Sequence, residues 1–147
     1  MNALKLLFVC ARLVFGAFVL FLALASPVHA QTSGAMPFSL ISTASNNSTL
    51  VYNDRNWLKT VLVGNSTGTQ QFLKLYDKST APTCGTDTPA LRIVVPANTN
   101  GGGMVALHFT DTKFNNGLGF CLVGGAADND NSNAQASVYV NLTFTPQ

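Results

Sequence analysis

Between residues 138 and 144, apolar and polar side chains alternate without interruption. Val138, Val140, Leu142 and Phe144 share one parity; Tyr139, Asn141 and Thr143 share the other. Successive side chains of a strand point to opposite faces, so a period of two predicts a half-buried strand within 136–144. The same period recurs upstream. At 104–109, Val105, Leu107 and Phe109 alternate with Met104, Ala106 and His108, which puts His108 on the surface or in an interface. At 57–63, Leu58 and Leu62 are expected to face the core and Lys59 to face water. At 72–76, Leu73 and Leu75 form the purely apolar parity, opposite Phe72, Lys74 and Tyr76. Runs at 36–41, 90–95 and 117–125 have strand length with less regular alternation. None of these runs is long enough for a typical globular helix.

Turn formers separate the runs. Pro37 argues for an edge position at 36–41, because proline cannot donate to a ladder. Residues 42–49 are a Ser/Asn loop, and 50–52 are too short to assign alone. The segment 64–69 (GNSTGT) reads as a hairpin-like link. Asp77, Pro82, Gly85 and Pro89 make 77–89 a wide ordered loop between two strands. The segment 97–103 (ANTNGGG) is a glycine-rich turn; it lacks the Lys-Ser/Thr ending and the following helical pattern of a phosphate loop. Gly119 marks a bulge or a close backbone approach. Seven or eight short strands with turns between them predict an all-β fold, an antiparallel two-sheet sandwich, of which the jelly roll is one version.

The first thirty residues follow a different pattern. Lys5 and Arg12 precede or open an apolar run over 13–25, and Val28 and Ala30 give the small-x-small pattern of a signal-peptidase site. The fold is therefore expected to be preceded by a signal helix, 1–30, cleaved before Gln31, with one β-sandwich domain over 31–147. An uncleaved anchor is the alternative, and the only route by which a membrane enters the reading. The expected localisation is export: periplasmic, secreted or particle-associated.

Removing the signal changes the charge. Residues 31–147 hold six Lys and Arg, six Asp and no Glu, so the net charge is zero. That gives no electrostatic case for nucleic-acid binding. A sparsely charged surface of Asn, Thr, Ser and Gly suits an assembly subunit, homo-oligomer included, and equally an ordinary exported protein. Cys84 and Cys121 are the two cysteines left in this exported part, and a disulfide between them is expected. It would close a loop of about 37 residues, worth about 4 kcal/mol on the chain-entropy model. Two separate buried thiols are the alternative.

Candidate chemistry is sparse. There is no G-x-S-x-G, H-E-x-x-H or C-x-x-C motif. With one histidine and no glutamate in 31–147, general acid–base catalysis has few candidates, so no enzyme and no catalytic residue is expected. No cofactor is expected. The segment 128–133 (DNDNSN) begins like a calcium loop, but Asn133 and Tyr139 stand where glycine and the final acid belong, so a solvated turn is expected and no metal. Trp57, Tyr52 and Tyr139 form the candidate binding surface. Trp57 beside its turn is either a carbohydrate platform or a partly buried core residue with its indole N–H paired.

The segments FLKLYDKSTAPTCGTDTPALRIVVPA, LHF, FNNGLGFCLVGGAADND and VYVNLTF, in this order, resemble a small β domain of tailed-phage and prophage structural proteins and related uncharacterised viral or bacterial proteins. The likeness covers roughly residues 57–144. It implies a framework of strands and loops with no catalytic residues, acting as a non-enzymatic structural or decoration module of a phage-like particle through protein partners. The alternative is a secreted or periplasmic bacterial module that binds a glycan or a cell-surface partner. An aromatic groove around Trp57, Tyr52 and Tyr139 would mark the second.

Overall fold

The structure, a computed structural model, describes residues 34–147. The expected signal over 1–30 lies outside the described residues. Eight strands follow in order: β1 (Met36–Ile41), β2 (Thr49–Tyr52), β3 (Asn56–Asn65), β4 (Gln71–Asp77), β5 (Leu91–Val95), β6 (Met104–Phe114), β7 (Leu118–Val123) and β8 (Val138–Pro146). They form two four-stranded antiparallel sheets, in the orders β1-β8-β3-β6 and β2-β7-β4-β5. Among the described residues there is no helix, so none is long and apolar enough to cross a membrane.

The connectivity is nested. β1 pairs with β8, β2 with β7, β3 with β6 and β4 with β5. Only the β4–β5 connection stays within one sheet; every other one passes between sheets. The link after β3 is therefore a corner between the two layers and not the expected hairpin. Asn65 builds that corner: its amide donates to the Thr69 and Pro96 carbonyls, and its carbonyl oxygen accepts from the Thr67 N–H. β1 is an edge strand, as Pro37 indicates.

The core lies between the sheets. One layer supplies three inward rows across its strands: Leu40–Val140–Val63–Val105, Phe38–Leu142–Val61–Leu107, and Met36–Phe144–Leu58. The other supplies Leu73, Leu75, Ile93, Val95, Leu118, Phe120 and Leu122. Phe38 meets Phe120 edge-on across the gap, ring centroids 5.9 Å apart. The alternations of β6 and β8 hold as expected. That of β3 holds only to Leu58, because an irregularity between Leu58 and Thr60 shifts the register. An extra residue in one strand reverses every side chain after it. Val61 and Val63 therefore enter the core, and Leu62 is 41% exposed on the outside.

The apolar face of β4 is also as expected, with Leu73 and Leu75 in the core, but its other face is not open to water. Lys74 is 1% exposed and Tyr76 is fully buried. The loops at 78–90 and 124–134 fold over them, and β7 is buried on both faces as a result.

Candidate functional site

The two sheets treat their outer faces differently, and this contrast locates the candidate site. On β2-β7-β4-β5, loops roof the outer face of β7 and β4, while Arg92 and Val94 of β5 stay exposed. Cys84, from the first loop, reaches Cys121 on β7, with Sγ–Sγ 2.07 Å and Cα–Cα 5.9 Å. Around them cluster Tyr76, Val123 and Phe72. Lys78 pairs with Asp87 at 2.5 Å, and Asp87 also accepts from the Thr83 N–H. These bonds to Lys78 and Thr83 hold the Asp87 carboxyl below the ordinary range. Ser48 donates to the Pro82 carbonyl. The loop is thus fastened at several points beyond the cysteines. Gly119 of β7 lies under it: a Cβ there would sit 3.0 Å from Pro82 Cδ and 3.1 Å from the Thr49 carbonyl oxygen. That is the close approach the sequence indicates.

The second loop is organised by Lys74. Its Nζ donates to the Ala127 carbonyl and, at 3.3 Å, to that of Asp130. The Asp130 carboxylate is occupied by its own loop, accepting from the Gly125 and Ser132 N–H groups and the Ser132 hydroxyl, and these bonds lower its pKa. Asp128 pairs with Arg92 of β5, which lowers the Asp128 pKa as well. The DNDN segment is therefore more than a solvated turn: the Asp130 carbonyl within it and the Ala127 carbonyl just before it close on an ammonium supplied by the sheet. Burial pushes the Lys74 pKa below its ordinary value, against the attraction of Asp130 and Asp128. No group of three His, Cys, Asp or Glu side chains suited to a metal is present among the described residues.

Among the described residues, the outer face of β1-β8-β3-β6 has no such roof. Two outward rows cross all four strands. The first runs Ile41–Tyr139–Gly64–Met104 and the second Ser39–Asn141–Leu62–Ala106. At a strand spacing of about 4.8 Å, each row is roughly 14 Å wide. Ile41 is 61% exposed, Tyr139 45% and Met104 67%. With Leu62 and Ala106 they make one apolar stripe at one end of the sheet. Gly64 keeps the stripe low in its middle and leaves the Tyr139 ring uncovered on that side. A hollow of about 330 Å³ opens beside Tyr139 and Met104, bounded by Ser66, Asn98 and Gly101. A groove of about 350 Å³ runs along Thr60, Leu62, Ala106, Leu107 and His108. His108 is exposed there.

The three candidate aromatic residues do not meet. Trp57 stands on the same outer face, between Thr145 and Lys113. It lies seven residues along β3 from Gly64, roughly 20 Å away at the strand rise. Its ring is half-buried beneath two ammoniums, Lys59 at 5.8 Å and Lys113 at 5.6 Å from its centroid. Trp57 is thus neither a core residue nor an open platform. Tyr52, on the other sheet, packs its ring 5.2 Å from that of Phe144. Only Tyr139 belongs to the exposed stripe. The outward parity of Met104 was legible beside His108, but that of Leu62 was not, since it depends on the β3 irregularity, and only strand partners far away in the chain bring Ile41, Leu62 and Met104 together.

No family model matches the chain, and no curated protein matches it. Among solved structures, the tobacco streak virus coat protein is similar at 9% identity, over 82% of this chain and 90% of that one, with a TM-score of 0.35. The dimer of the same coat protein is similar at 11% identity, over 81% and 90%, with a TM-score of 0.32. Likenesses at this level leave the role to be argued from the chain's own residues.

Proposed function

We propose that this protein is a non-enzymatic structural module of a phage-like particle, a jelly roll that works by associating with further copies of itself. The observation that carries the reading is the uncovered stripe of Ile41, Tyr139, Leu62, Ala106 and Met104 across one sheet, opposite a sheet whose two central strands, β7 and β4, are roofed on their outer face. Exposed contiguous apolar patches on a soluble surface mark interaction sites. Nested pairing of eight strands in two sheets is the jelly-roll arrangement, used by capsid and lectin domains alike, so topology alone does not choose a role. The charge balance favours self-association: residues 31–147 are net neutral, so copies do not repel as they concentrate.

Export with cleavage after Ala30 belongs to the same proposal, motivated by Val28 and Ala30 behind the apolar run. Mass spectrometry of the secreted product should find Gln31 at the N-terminus; a product retaining Met1 contradicts it. The association reading is tested by sedimentation velocity over a hundredfold concentration range. Wild-type protein should grow in sedimentation coefficient with concentration, and the double variant Ile41→Lys/Leu62→Lys should not. A wild-type protein that stays monomeric throughout refutes the proposal.

A further inference from the structure

Each sheet of a sandwich leaves two edges, and each edge presents unpaired N–H and C=O groups that invite another strand. Soluble proteins blunt such edges with proline, charge, bulges or brevity. Three of the four edges here are blunted. β1 carries Pro37. β2 has four residues and a register shift between Leu50 and Tyr52. β5 has five residues, with Arg92 in the strand paired to Asp128 beside it. β6 is different. It has eleven residues, and among the described residues it pairs only with β3. Its first seven residues, 104–110 (MVALHFT), contain no Lys, Arg, Asp, Glu or Pro. Leu107 points inward by register yet is 37% exposed, because no strand closes the sheet beyond it.

We infer that the free edge of β6 is an interface, and that its occupant is the β6 strand of a second copy, paired antiparallel about a two-fold axis within 104–110. This rests on the self-association reading above and names its surface. A strand edge is completed by a strand. Two copies of one strand related by a two-fold axis are antiparallel and self-complementary, since each contact is made twice. No like charges face each other over 104–110, so the pairing carries no repulsive cost there. The pairing also joins the two apolar stripes. Met104 and Ala106 stand at the ends of the outward rows, so a second β6 extends both rows into the next copy and yields one eight-stranded sheet. It covers the edge at Leu107 in the same step.

The test uses protein expressed from the full chain. Single cysteines are placed at outward positions, Met104→Cys, Ala106→Cys or His108→Cys, with Val94→Cys as control on the exposed face of β5. Mild oxidation should give a covalent homodimer from at least one of the first three and none from the control. In parallel, Leu107→Lys sets an inward-pointing charge on the edge, a device that natural edge strands use against pairing. It should weaken association at least tenfold by sedimentation while keeping the β-sheet circular dichroism of the wild type. If Leu107→Lys does not fold, the cysteine series decides. Association that survives Leu107→Lys, with no crosslink at 104, 106 or 108, overturns the β6 edge but leaves the structural reading intact. A crosslink to a different protein overturns the choice of occupant. A wild type that is monomeric at every concentration removes both.

Discussion

Replacing Lys74 separates two contributions that its burial combines. Lys74→Ala removes three methylenes beyond Cβ, worth about 2 kcal/mol at roughly 0.8 kcal/mol per buried CH₂. It also leaves the Ala127 and Asp130 carbonyls without their donor. An unpaired buried carbonyl costs roughly 1–3 kcal/mol, and the low end applies where water can follow into a surface loop. The expected loss is therefore about 4 kcal/mol. Lys74→Met keeps most of the hydrocarbon and loses only the donor, while relieving the cost of burying a charge. Its expected loss is about 1 kcal/mol. Urea unfolding monitored by circular dichroism gives both values, and amide exchange at Gly125 and Ser132 should quicken in both variants as the loop loosens.

The pH dependence has a definite sign. The folded-state pKa of Lys74 is lowered by burial from its ordinary 10.5, so the unfolded chain binds more protons between the two values. Stability then rises with pH across that window. The neutral amine still has two hydrogens for the two carbonyls. Wild type should gain stability relative to Lys74→Met from neutral pH towards 10.5. Equal losses in the Ala and Met variants, or a wild type that weakens against Lys74→Met as pH rises, would refute this account of the buried ammonium.

Three further outcomes follow from the fold. Thiol titration under denaturing, non-reducing conditions should find no reactive thiol, and Cys84→Ser should lower the melting temperature and cost less unfolding free energy than the roughly 4 kcal/mol ceiling of the chain-entropy model, because Lys78, Asp87 and Ser48 also fasten the loop; two titratable thiols per chain contradict the pairing. Leu62→Lys should cost within about 0.5 kcal/mol as a surface change, whereas Val61→Ala should cost about 1–3 kcal/mol as a core truncation; the reverse order would mean that the β3 parity does not switch after Leu58. Tyr76→Phe should be neutral or stabilising by up to about 1 kcal/mol, since the Tyr76 hydroxyl is buried without a hydrogen-bond partner among the described residues; a loss above 2 kcal/mol in urea unfolding would reveal a partner.

Strands whose inner and outer positions differ in polarity were legible from local alternation. β8 is such a strand, and its buried parity is the one that the sequence indicates; in β6 the alternation also held, with His108 marking the outer face. β3 was legible only to Leu58, because both parities beyond it are apolar and nothing local reveals the extra residue. Lys74 and Tyr76 read as solvent-facing because their cover comes from 124–134 and 78–90, segments that the chain supplies from elsewhere. The exposed stripe was hidden for a related reason. Ile41, Leu62, Met104 and Tyr139 sit on four different strands, and only the register brings them into one face. Single apolar residues on a surface carry no signal; a row of them does.

The most direct test of the open-face account is hydrogen exchange at two concentrations, one low enough to hold the protein monomeric and one high enough for association. The account predicts that added protection concentrates in β6, with smaller gains in β3 and β8, and that the loops at 78–90 and 124–134 exchange equally at both concentrations. Added protection on those loops, with β6 unchanged, would place the interface on the roofed sheet and contradict the claim.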